Sequence, residues 1–323
     1  MSRSVLTTNN SKTIGVIFVL MASILWGTTG TAATFAPSVS PLAIGAAAMG
    51  VGGLLQMLIA IRQIGIDWAR LKLQSSYVLI GASAVAVYPL AFYTSMHMAG
   101  VTIGTVVTIG SAPLLSAVIE RIFDNKPLTG RWAIGAGLGL LGTVMLCVAK
   151  AQGHTDNVAG ASDIRSMFGI LLGLVAGATY ALYSWTAHRL IQKNISSSAA
   201  MGTTFGLGGL VLLPVLLVTG APLIETWTNA MVGFYMALVP MCLGYVLFGK
   251  GLAKVSASTA TTLSLIEPVV AALLAAVVVG EQLSPVGWTG AALIVSCLYV
   301  LVQQPTNHEQ PLSQRTNTST PDS

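Results

Sequence analysis

Residues 112–120 read APLLSAVIE and residues 267–275 read EPVVAALLA. Each stretch sets a proline inside an apolar, helix-length run, and each is followed by a helix start of the same design, LTGRW at 128–132 and LSPVGW at 283–288. Thr129 and Ser284 are N-cap candidates, because a hydroxyl there can accept an orphan backbone N–H, and Pro285 stands at the first helical position, where its missing N–H costs nothing. From this point on the register holds at a shift of 155, one insertion beyond the upstream one, which lays Pro113 on Pro268, Leu128 on Leu283, Thr129 on Ser284 and Gly135 on Gly290. Upstream, a shift of 154 lays Gly15 on Gly169, Trp26 on Tyr180 and Ala99 on Ala253. The chain reads as one unit written twice.

The composition says in what solvent that unit folds. Of 323 residues, 54% are hydrophobic and only 8% are Asp, Glu, Lys or Arg, against roughly a quarter charged in a soluble domain. A water-facing surface cannot be built from so few charges, so a multi-span membrane protein remains, with the lipid bilayer as its solvent. Ten apolar windows of spanning length are found, at 14–34, 42–61, 76–97, 102–119, 131–149, 168–187, 198–219, 230–249, 258–279 and 286–302. Polar or turn-forming breaks are expected at 37–41, 62–74, 120–131, 150–166, 189–198, 221–229 and 280–285. If the N-terminus lies inside, thirteen of the fifteen Lys and Arg residues fall on the inner side, and only Lys150 and Arg165 fall outside. That asymmetry is the positive-inside pattern, and a missed span would scramble it.

Five spans per unit is an odd number, so the second copy must enter the membrane from the opposite face. The expected fold is an all-α membrane protein of ten transmembrane helices arranged as two inverted five-helix repeats. Its parts are a cytoplasmic N-terminal segment at 1–13, a first repeat at 14–149, an external linker at 150–167, a second repeat at 168–302 and a disordered cytoplasmic tail at 303–323. Inverted repeats suit secondary transport, because exchanging the conformations of the two halves turns an inward-open molecule into an outward-open one.

Several other chemistries lack their residues. The formal net charge of +5 comes without a basic stripe or interleaved aromatics, so no nucleic acid partner is expected. Cys147, Cys242 and Cys297 all lie in apolar runs and their odd number excludes a fully paired framework. His97 has no second intramembrane histidine to make a metal site, and neither metal nor other cofactor is expected. An intramembrane enzyme acting on lipid-linked substrates would need companions for its one buried carboxylate, and a passive channel would need a filter or charged ring. No catalytic residue is assigned.

Glu267 is the acidic residue placed deep inside an assigned span. An ionised group at a helix centre costs about 2.5–3.5 kcal/mol on insertion scales, so it should be protonated, paired or reached by water. Coupling to protons is one reading; a bond to the backbone of a neighbouring helix around Pro268 is the other. Pro113 and Pro268 each free a carbonyl four residues earlier, that of Ile109 and that of Ser264, and form a candidate hinge pair. Trp26 and Tyr180, repeat equivalents near mid-span, are the preferred cavity-lining pair, with Tyr88 and Tyr93 beside them. Trp68, Trp132, Trp227 and Trp288, at loop boundaries, read as interfacial anchors.

Three segments, LMASILWGTTG at 20–30, FYTSMHMAGVTIGTVVTIGSAPLLSAVIE at 92–120 and above all SASTATTLSLIEPVVAALLAAVVVGEQLS at 256–284, resemble the drug/metabolite transporter superfamily in its EamA-type ten-helix branch. The resemblance covers residues 14 to 302. It implies a carrier in a bacterial inner membrane with both termini cytoplasmic, driven by a proton gradient or by exchange. Such carriers are commonly exporters of amino acids and related metabolites, so a small-molecule substrate is implied. One departure is visible: where the second half carries Gly280-Glu281, the first carries Phe123-Asp124-Asn125-Lys126. Substrate identity, transport direction and oligomeric state have no signature in the chain.

Overall fold

The computed structural model describes residues 2–153, 164–280 and 284–302. Glu281, Asp156, Asp163, the tail and most of the external linker lie outside them. Among the described residues every regular element is helical, and ten helical runs are long and apolar enough to cross a membrane. The first half holds α1 (Ser2–Gly27) continued by α2 (Thr29–Ala33), then α3 (Pro41–Leu73), α4 (Ser75–Ala99), α5 (Val101–Asp124) and α6 (Gly130–Gly153). The second half holds α7 (Ile164–Gln192), α8 (Ser197–Thr219), the short α9 (Pro222–Glu225), then α10 (Trp227–Met236), which runs through a π-helical stretch, Ala237–Leu243, into α11 (Gly244–Leu252). The ninth crossing is α12 (Ala257–Leu263), a 3-10 turn at Ser264–Ile266, α13 (Glu267–Leu274) and a π-helical stretch, Ala275–Val279; the tenth is α14 (Pro285–Val302).

Helix starts follow the hydroxyl rule. Ser40, Ser196 and Ser256 accept from the backbone N–H groups of Ala43, Ala199 and Thr259. Thr129 accepts from Trp132 N at 3.2 Å and Ser284 from Gly287 N at 3.4 Å, so the two caps expected from the repeat are both made.

The packing has the symmetry of exchanged halves. α3 lies along its own repeat equivalent α8, and α6 along its equivalent α14. α1 packs on α11 and α7 packs on α4, and each of these contacts is the image of the other when the halves are swapped. Side chains obey the same rule at the α6–α14 seam. A Cβ added at Gly135 would lie 3.1 Å from Leu301, and one added at Gly290 would lie 2.9 Å from the backbone of Leu146, the equivalent pair in the shift of 155. Small residues are what let these backbones approach where no water drives the helices together.

Three expectations are corrected. The break placed at 62–74 is helix: α3 runs 33 residues to Leu73, about 50 Å at 1.5 Å per residue, longer than the ~30 Å hydrocarbon core. Its last turns remain ordered because Asp67 is buried against the start of α8. The break at 221–229 holds α9 and the start of α10. Trp132 is not an interfacial anchor but is buried in the main core, 8% exposed, whereas Trp68, Trp227 and Trp288 are exposed.

Candidate functional site

A cavity of about 810 Å³ lies between the two halves. It is lined by Trp26, Tyr88, Tyr93, Tyr180, Glu267 and Pro268, so all but one of the site residues expected from the sequence share one space. The exception is Pro113, which is buried inside the unbroken α5 and does not line the cavity. Phe92 and Tyr245 also line it. Both belong to the apolar or aromatic pattern of their helices, and only the tertiary fold distinguishes them from ordinary packing residues.

Local backbone irregularity positions the aromatic cluster. In the stretch Ala237–Leu243, Pro240 donates no N–H and the helix widens, with Gly244 N–H reaching back to the carbonyl of Val239. The carbonyl of Pro240 accepts from Trp26 Nε1 at 2.9 Å, which fixes the indole. Trp26 in turn meets Tyr180 edge-on, ring centres 6.4 Å apart, and Tyr245 at 4.7 Å. That two repeat equivalents touch places them beside the axis relating the halves. Tyr88 leans on Tyr180 at 5.9 Å and stacks on Phe92 at 5.8 Å.

The ninth crossing is broken where the sequence places Pro268, but the freed carbonyl is not left open: that of Ser264 accepts from Glu267 N–H. It is the Ser264 hydroxyl that serves the site, accepting from Tyr180 OH at 2.8 Å and donating to Thr261 O at 2.7 Å. The break puts Glu267 in the first turn of α13, directly after the 3-10 turn. Glu267 is half-buried on the cavity wall, and among the described residues no hydrogen bond or ion pair reaches its carboxylate. Its repeat equivalent is Ala112, wholly buried, so the site carries this carboxylate once.

The cavity runs toward one end of the bundle. Pro37 and Val39 ahead of α3, Pro41 at its first position, Val101 and Thr105 at the start of α5, and Ser284 ahead of α14 line it there. Toward the other end, Tyr183, Phe205 and Phe248 are fully buried beneath Trp26, Tyr180 and Tyr245. Three carboxylates then bind the halves together. Asp67 on α3 accepts from Ser196 N and Oγ at 3.0 and 2.8 Å. Glu120 on α5 accepts from Lys126 Nζ at 3.0 Å, from Ala257 N at 3.1 Å, and from the amide and hydroxyl of Ser258. Asp124 accepts from Trp185 Nε1 at 3.1 Å and pairs with Arg189 Nε at 3.2 Å, a charge contact lacking hydrogen-bond alignment. Arg70 in the last turn of α3, Lys193 just after α7 and Lys254 just after α11 also lie at this end. The chain leaves helix at 125–129 and 193–196, within the breaks expected there, but the acids Glu120 and Asp124 beside them are buried and paired across the halves where solvated groups were expected. Among the described residues no cluster of His, Cys, Asp and Glu suited to a metal ion is present.

An acid-bearing, aromatic-walled cavity between two five-helix halves, closed at one end, is a place where a small solute can sit out of contact with one side of a membrane. The comparisons with known proteins agree with that architecture. The EamA-like transporter family matches residues 13–148 and again residues 167–303. The uncharacterized transporter YwfM of Bacillus subtilis is 34% identical over 90% of this chain and 94% of its own length. A probable terminal-alkyne amino-acid exporter of Streptantibioticus cattleyicolor is 23% identical over 93% of this chain and 98% of its own. A solved crystal structure superposes with a TM-score of 0.69 at 19% identity, covering 88% of this chain and 95% of that one, which shows a shared fold. This chain is an integral multi-pass membrane protein and belongs to the EamA-like transporter family.

Proposed function

We propose that the protein is a secondary active transporter that exports a small amphipathic metabolite, of the kind an amino acid represents, across a bacterial inner membrane by alternating access. The observation that carries this reading is the 810 Å³ cavity between the halves, lined from both of them and closed at the cation-rich end. With the positive residues inside, the closed end faces the cytoplasm and the cavity faces out. The exporter name of the Streptantibioticus relative supports the direction.

Glu267 is the proposed coupling group. It is the cavity carboxylate without a protein partner, and the groups facing it are Tyr88, Tyr93, Tyr180 and Tyr245. A carboxylate that meets water in one state and a dry, closed wall in the other binds and releases a proton with each exchange of access, since its ionised form is stable only where water or a cation reaches it. The test is accumulation of labelled solute in proteoliposomes with and without an imposed pH gradient. Glu267→Gln keeps the side chain's shape and should lose the response to the gradient, while solute exchange persists at solute concentrations high enough to offset weaker binding. Normal gradient dependence in Glu267→Gln contradicts the assignment.

A further inference from the structure

We infer that the transported solute is a protonated amine on an apolar body that bears no carboxylate, recognised by Glu267 and the aromatic walls; this rests on the transporter reading and narrows its solute from amino acids to the amines related to them. The inference comes from the charge inventory of the cavity. Among the described residues of its lining there is no lysine, arginine or histidine, and Glu267 supplies the one formal charge. The remaining polar groups there are hydroxyls, such as those of Thr29, Thr105 and the tyrosines, together with backbone.

A solute carboxylate entering such a space loses its hydration, finds no cation to replace it and meets a like charge, and each of these disfavours binding. A solute ammonium meets the opposite situation. Glu267 offers an acceptor with no protein partner, and Trp26, Tyr88, Phe92, Tyr93 and Tyr245 present ring faces whose quadrupoles attract cations. Apolar residues such as Ile44, Met49, Ile109 and Ala272 cover the rest of the wall and suit a hydrocarbon body. The volume is ample for a ring and a short chain. A zwitterionic amino acid satisfies Glu267 with one end and leaves its other charge in an apolar wall, so it binds less well than the corresponding amine.

Three probes with the same phenyl ring and a short chain isolate the charge: phenethylamine, phenylalanine and phenylpropionate. Binding to the purified full-length protein is read by calorimetry. The expected order is phenethylamine first, phenylalanine weaker by about tenfold or more, and phenylpropionate without measurable binding. Glu267→Gln should weaken phenethylamine by about tenfold or more, narrow its lead over phenylalanine, and lift the like-charge repulsion from phenylpropionate. The comparison of probes on the unmodified protein needs no variant, so it decides the matter even if Glu267→Gln folds poorly. Phenylalanine or phenylpropionate binding as tightly as phenethylamine, or no binding of phenethylamine, overturns the inference. The transporter reading is judged separately by exchange of access between the two ends, which is measured without any solute.

Discussion

At the scale of single residues, the shape of the cavity depends on positions where nothing larger than hydrogen fits. Gly45 on α3 lines the cavity, and a Cβ added there would stand 2.0 Å from Cε2 of the Tyr93 ring. Gly45→Ala must therefore displace Tyr93 from the wall. Overpacking of this kind costs about 1–3 kcal/mol, and removing the ring should return most of it. A double-mutant cycle on thermal midpoints in detergent checks this: Tyr93→Ala should suppress the cost of Gly45→Ala, whereas additive costs would mean that the two side chains do not share the space. Residue chemistry was readable in part from sequence. Trp26 and Tyr180 were singled out by the repeat register and are found in contact. Glu267 stood out as a carboxylate inside an apolar run. The carbonyl of Pro240, which holds the indole, was not legible as a partner: the proline marks an irregular helix, but that its carbonyl meets α1, 214 residues away along the chain, is a property of the tertiary fold.

At the scale of elements, the ends of helices differ in what they bury. The closed end joins α5 to α12 through Glu120, which satisfies two of the N–H groups that an isolated helix start leaves orphaned, those of Ala257 and Ser258. Glu120→Ala strips those partners and leaves Lys126 without its acceptor. Losing a buried polar partner costs about 1–3 kcal/mol, enough to move a two-state balance by roughly five- to 150-fold. The expected outcome is a shift toward the state open at the cation-rich end, read as faster labelling of a buried α12 position by an impermeant thiol reagent; an unchanged rate would leave Glu120 a local cap. Hydropathy located the ten crossings, yet it assigned Asp67, Glu120 and Asp124 to loops. A carboxylate among lysines and arginines at a span end has the composition of a solvated turn. What buries each of these acids is a partner on the other half, 137 residues along the chain for Glu120 and Ala257, which no local pattern contains. The two prolines show the same limit. They occupy one register position, but Pro268 opens α13 while Pro113 lies within continuous helix.

At the scale of the whole molecule, duplication supplies the mechanism. The halves have related sequences, opposite directions through the membrane and, in this structure, different conformations at equivalent places. Thr105 near the start of α5 lines the cavity, while Ala260, in the matching first turns of its repeat equivalent α12, is wholly buried near the opposite end. If the halves exchange conformations, these two positions must exchange exposure. The measurement is the reactivity of Thr105→Cys and Ala260→Cys, each in a background free of Cys147, Cys242 and Cys297, toward an impermeant thiol reagent applied to right-side-out and to inside-out vesicles. Conditions that protect Thr105→Cys from outside should expose Ala260→Cys from inside, and the reverse. Reactivity of Thr105→Cys that never varies, with Ala260→Cys inert from both sides, would contradict alternating access.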